Sequence, residues 1–130
     1  MIAAFGADRS DTRTTATRAA INLAGARKKD GFKLRDAHWT GTLQPGVPQV
    51  VEVNLFKGNS YWFTAAATPD AVAVSIHVFD ESGRAVTAEE ISGGTHAEAG
   101  FAPVVSGPYF VKLEETGNQN STFCLVYTYK

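Results

Sequence analysis

From Ala37 to the C-terminus, short runs rich in Val, Phe, Tyr and Thr alternate with turns built from Gly, Pro, Asn and Asp. Within the runs, apolar residues recur at every second position, as in Val51, Val53 and Leu55, or Val74, Ile76 and Val78. A β-strand sends alternate side chains to opposite faces, whereas a helix needs a period near 3.6, so the pattern commits these residues to strands. The spacing predicts eight of them, near residues 37–43, 49–56, 60–67, 72–80, 84–91, 96–103, 108–115 and 122–129. Eight strands so spaced suit a sandwich or barrel. The inward positions, which also include Tyr61, Phe63, Ala65, Tyr109, Val111 and Leu113, would form one core between two sheets. "DESGR", Asp80 to Arg84, has Asp first and Gly fourth, as a type I turn prefers.

The first 36 residues differ. "TRTTATRAAINLAGARKK" contains no proline and carries Ala16, Ala20, Leu23 and Ala24 at helical spacing, behind the N-cap candidates Ser10 and Asp11. A helix is expected from about Thr12 to Lys28, with Gly31 as its stop and Arg27, Lys28 and Lys29 at the negative end of its dipole. The apolar stripe is narrow and mostly alanine, so the helix should lie against something flat. Residues 1–36 are therefore read as a helix and linker packed on a sandwich of residues 37–130.

Charge follows the same division. Residues 1–36 hold eight Lys and Arg against four Asp, and residues 37–130 hold four Lys and Arg against nine Asp and Glu. A basic helix docked on an acidic sandwich explains this asymmetry, and without aromatics beside the cations no nucleic-acid partner is expected. No apolar run approaches the roughly 20 residues of a membrane helix, so no membrane insertion is expected. The apolar part of "MIAAFGADRSD" is too short for a secretory signal, leaving a cytoplasmic protein or a trimmed mature form behind a start Met. Cys124, the one cysteine, lies between Phe123 and Leu125 and reads as a small core residue.

The β region is similar to a known family. "GTLQPGVPQVVEVNLFKGNSYWFTAAA", "AVSIHVFDESGRAV", "AGFAPVVSGPYFVKLEE" and "STFCLVYTY" resemble, in order and spacing, the bacterial pre-peptidase C-terminal domain over about residues 41–129. Its features are a G-x-L opening, a Gly before an apolar strand, an x-D-x-x-G hairpin and an SG-x-Y-x-V strand pair. The resemblance implies an all-β, eight-stranded, jelly-roll-like antiparallel β-sandwich, here with one added N-terminal α-helix. It also implies a periplasmic or secreted location and a non-catalytic role beside exported enzymes, some relatives binding matrix protein or carbohydrate. Some relatives hold calcium near the domain start, where this chain offers only Asp30 and Asp36 among Arg and Lys, so no metal or cofactor is expected.

No convergent catalytic set is legible. His38, His77 and His96 include no pair at zinc-ligand spacing, and only His96 and Glu98 put two ligand types on one strand face. Ser75, His77 and Asp80 make a triad on paper, but same-face strand neighbours point in parallel and no nucleophile elbow is present. "ISGGTHAEAG" reads as a hairpin or crossover loop because the helix and lysine of a phosphate loop are missing, and "NST" at Asn120 reads as a turn.

Outward aromatics remain. With neighbouring strands near 72–80 and 108–115, His77, Phe79, Phe110 and Lys112 share an outer surface fit to bind a glycan or a protein, and Trp62 in "YWF" must also point outward. Trp62 is expected to be buried by the helix of residues 12–28, or, if open, to stack a ligand. The expected function is a non-catalytic accessory or adhesion module, the alternatives being an assembly domain making self- or hetero-subunit contacts and a hydrolase.

Overall fold

The computed structural model describes residues 2–68, 73–86 and 89–130. Helix α1 (Ile2–Gly25) tightens into a 3-10 helix (Ala26–Asp30), and eight strands follow: β1 (Lys33–Leu43), β2 (Gln49–Leu55), β3 (Tyr61–Thr68), β4 (Val74–Phe79), β5 (Glu89–Gly93), β6 (His96–Phe101), β7 (Gly107–Glu115) and β8 (Ser121–Tyr129). They form an all-β sandwich of two antiparallel sheets, ordered β1-β8-β3-β6-β5 and β2-β7-β4.

The alternation read from sequence selects the core. Leu55, Phe63, Val111, Leu113 and Leu125 are fully buried between the sheets, and Tyr127 packs among Trp39, Tyr61 and Phe63 with ring centroids 5.3–6.1 Å apart. The outer face of β3 is also covered. Ala16, Ala20 and Ala24 of α1 form a second cluster with Ala66, Cys124 and Val126. Cys124 is thus buried beneath the helix and outside the main core.

Two elements differ from the sequence reading. The helix passes through Ser10 and Asp11 rather than starting there, because "IAAFGADR" holds three alanines and no proline and so carries helical propensity upstream of both candidate caps. Its end is as expected: Gly31 adopts φ 89°, and the Gly31 and Phe32 N–H groups return to the carbonyls of Lys28 and Arg27. The chain then enters β1 at Lys33, so residues read as linker are partly strand. In the second difference, the strand expected at 84–91 is reduced to a single bridge, Phe79 with Ala85, followed by β5 in the other sheet. Residues 87 and 88 of that expected strand, and residue 72 at the expected start of β4, lie outside the described residues. The Asp80 turn absorbs the start of the expected strand: Asp80 Oδ1 accepts from the Ser82 N–H, the Ser82 hydroxyl and the Arg84 N–H, and Gly83 N–H donates to the Asp80 carbonyl.

Glu115, at the inward position closing β7, is fully buried. Ser121 Oγ donates to its Oε2, whereas Oε1 meets no hydrogen-bond partner among the described residues. Ser121→Ala removes the one side-chain partner of a buried carboxyl and is expected to cost about 1–3 kcal/mol in urea denaturation.

Candidate functional site

In the three-stranded sheet, β4 and β7 point Val74, Ile76, Val78, Tyr109, Val111 and Leu113 inward, which turns His77, Phe79, Phe110 and Lys112 to the outer face. The antiparallel register sets His77 opposite Lys112 and Phe79 opposite Phe110. Cross-strand neighbours of this kind have touching side chains, so the four form one patch. Lys112 Nζ lies 5.9 Å from the centre of the Phe79 ring and 3.1 Å from Glu114 Oε1. On the other side of β7, β2 adds exposed Val50 opposite Lys112, and Glu52 opposite Phe110. The patch is therefore two half-buried rings bordered by ionisable groups.

His77 also reaches the other sheet. Its Nδ1 is 2.7 Å from Glu90 Oε1, an exposed contact joining β4 to β5 at one edge of the sandwich. This pairing engages the histidine with Glu90. Asp80 is occupied by its own turn, where the Ser82 hydroxyl, and then the Arg84 and Ser82 amides, hold its carboxyl below the ordinary range. Ser75 pairs in register with Glu114. Ser75, His77 and Asp80 do not form a relay. Among the described residues there is no group of three His, Cys, Asp or Glu able to hold a metal ion.

Trp62 lies apart from the other four, on the outer face of the five-stranded sheet and so on the opposite side of the sandwich. It is 5% exposed. One face of the indole lies on Gly100, its register partner, and the Arg27 guanidinium carbon sits 3.7 Å from the ring centre. Its Nε1–H donates to Glu98 Oε1 at 2.8 Å, and Arg27 Nε is 4.0 Å from that same oxygen. Trp62 is buried as expected, and Arg27, which covers it, falls within the expected helix of residues 12–28 but in its 3-10 end; the alanine stripe sits further along β3, on Ala66. Beside this stack runs an open cleft of about 810 Å³, whose lining includes Arg27, Phe32, Phe101 and Lys130.

Glu98 was legible only as half of a His96–Glu98 pair, and its partner Arg27 only as one of three helix-end cations. The available signal was a carboxylate at an outward position two residues before Gly100, on the strand that β3 would have to meet. Because β6 is named as that strand only by the topology, sequence alone could not connect them.

These features define a class: an eight-stranded, two-sheet sandwich bearing a helix on one outer face and an aromatic patch on the other. The sequence matches no protein-family model and no curated protein. Among solved structures, the pre-peptidase C-terminal domain of a Bacillus anthracis collagenase is similar, with TM-score 0.56 and 18% identity over 70% of this chain and 87% of that one. The periplasmic inhibitor of g-type lysozyme from Aeromonas hydrophila, PliG, has TM-score 0.50 and 13% identity over 72% and 85%. The Clostridium perfringens CspB protease also has TM-score 0.50, with 14% identity over 70% of this chain, which spans only 25% of the protease. The fold is thus a pre-peptidase C-terminal domain-like β-sandwich.

Proposed function

We propose that the chain is a non-catalytic accessory or adhesion module of an exported bacterial protein, binding a protein or glycan through His77, Phe79, Phe110 and Lys112. The observation that carries this reading is the register itself, which sets two aromatic rings opposite each other on an outer sheet face with an imidazole and an ammonium alongside. Rings displayed in that way offer an apolar platform to a sugar face or a partner side chain, while His77, Lys112 and Glu114 supply directional hydrogen bonds at its border. The similar structures lend support: one is a domain accompanying a collagenase and another is an inhibitor of a lysozyme. A periplasmic or secreted location belongs to the same reading.

Binding is to be screened on a glycan array and a panel of immobilised extracellular proteins, followed by titration of the best ligand against Phe79→Ala and Phe110→Ala. Each substitution removes a half-buried ring and is expected to weaken binding about tenfold or more. Unchanged affinity in both variants would reject the patch.

A further inference from the structure

The open cleft of about 810 Å³ beside Trp62 has the capacity of a small-molecule site. It lies at the end of the sandwich where β3 and β5 begin and β6 and β8 end, with the 3-10 helix on one side. Trp62, Gly100 and Glu89 stand opposite one another across β3, β6 and β5, so all three belong to the same sheet face.

The walls are fixed from within. Lys130 Nζ donates to the Asp30 carbonyl at 2.8 Å and lies 4.8 Å from the centre of the Phe32 ring, which ties the end of β8 to the 3-10 helix. The Lys130 and Ser60 backbones exchange hydrogen bonds of 2.8 and 3.0 Å. Phe101 is tilted against Tyr109 with ring centroids 5.1 Å apart. Phe32 and Phe101 are both half-buried and line the cleft, so each offers it part of a pinned ring. A wall already in place spares a ligand the entropy cost of ordering it.

The charges decide what can enter. Among the described residues, the carboxylate oxygens nearest the Arg27 guanidinium are Asp30 Oδ2 at 3.7 Å and Glu98 Oε1 at 4.0 Å, both beyond hydrogen-bond length. An anionic ligand on Arg27 would stand against Asp30 and Glu98, and a cationic one on Asp30 would stand against Arg27 and Lys130. A hydroxyl meets neither conflict. It accepts from the guanidinium and donates to the carboxylate beside it, completing both with one uncharged atom. Glu89, exposed on the cleft rim, supplies a further acceptor, and the two rings suit the C–H face of a molecule whose edge carries the hydroxyls.

We propose that this cleft is a binding site for a neutral sugar. Arg27 and Asp30 hold adjacent hydroxyls between them, Glu89 takes another from the far side of Gly100, and Phe32 and Phe101 receive the apolar face of the ring. The site lies on the opposite side of the sandwich from His77, Phe79, Phe110 and Lys112 and does not depend on that patch having a ligand.

The test is a nuclear magnetic resonance titration of the 15N-labelled full chain, whose two tryptophans, Trp39 and Trp62, give two indole N–H signals, told apart with Trp39→Phe. Glucose, galactose, mannose, N-acetylglucosamine, cellobiose, maltose and lactose are each added to about 20 mM, beside the charged sugars glucuronate and glucosamine. At least one neutral sugar is expected to shift the Trp62 signal saturably and to leave that of Trp39 in place. Asp30→Ala with Glu89→Ala, both at exposed positions and checked by circular dichroism for an unchanged fold, should weaken that binding at least about tenfold. Phe79→Ala with Phe110→Ala should leave it unchanged. No Trp62 shift with any neutral sugar, tighter binding of a charged sugar than of every neutral one, or full binding by the Asp30 and Glu89 variant overturns the proposal. A sugar whose binding falls only in the Phe79 and Phe110 variant belongs to the patch, so the two sites fail separately.

Discussion

Gly100→Ala is expected to destabilise the protein by about 3 kcal/mol, at the upper end for one added methyl group. A Cβ at Gly100 would sit 2.4 Å from Cζ3 and 2.5 Å from Cε3 of Trp62, well inside contact distance. The indole is hemmed in, since the Arg27 guanidinium carbon sits 3.7 Å from its ring centre and Nε1–H is held by Glu98. The strands cannot separate locally either, because β6 pairs with β3 from Tyr61 opposite Phe101 to Ala66 opposite His96. The measurement is urea denaturation followed by far-ultraviolet circular dichroism, in a cycle with Trp62→Ala. Trp62→Ala alone should cost about 3–5 kcal/mol, and in its background Gly100→Ala should cost under about 1 kcal/mol. An equal cost in both backgrounds would show that glycine is needed at position 100 for a reason other than the indole.

The same stack shows what the sequence made legible. Period-two alternation marks a strand with one wet face, and it located the inward residues of β2, β4 and β7, where each inward residue is flanked by more exposed ones. β3 is different: its residues from Tyr61 to Ala67 are all buried, because one face meets the other sheet and the other meets the helix region. Its tell is size. After "YWFT" come three alanines, of which Ala66 faces outward, and a small residue on a sheet's outer face permits an alanine-faced helix to lie close. The His77, Phe79, Phe110 and Lys112 patch was legible because antiparallel pairing of two recognisable strands fixes their neighbours. Arg27 over Trp62 was not, since it depends on where the 3-10 helix lands after α1 docks, a tertiary fact without a local signal. The helix start was misplaced for the converse reason. Ser10 and Asp11 are good caps only if the residues before them are not helical, and alanine-rich residues upstream remove that condition.

Ala20→Glu is expected to release α1 and to make Cys124 reactive. Ala20 is 0% exposed and packs in the small cluster that holds Ala66, Cys124 and Val126 against the helix. Methyl-sized contacts contribute only about 0.8 kcal/mol each, so three alanines cannot outweigh a carboxylate driven into the same seam, where an unpaired charge costs several kcal/mol. In the native protein the thiol has no solvent access, and burial pushes it above its ordinary value of 9.0, with the Thr17 hydroxyl pulling partly the other way. It should therefore react with an aromatic disulfide reagent only through helix opening, and Ala20→Glu should raise that rate at least about a hundredfold. A rate unchanged by the substitution would mean that the helix is not what shields the sulfur. The raised value has a consequence for stability with a definite sign. Below pH 9.0 the thiol is protonated in folded and unfolded chains and its contribution is intact; above that pH the unfolded chain releases a proton that the folded chain retains, so stability falls as pH rises. Comparing wild type with Cys124→Ala isolates this loss from the tyrosines and lysines that titrate in the same range, and the difference between their stability curves should open only on the alkaline side. Both measurements read the same physical fact, that the alanine stripe of α1 excludes water from the outer face of β8 as the facing sheet does from its inner face.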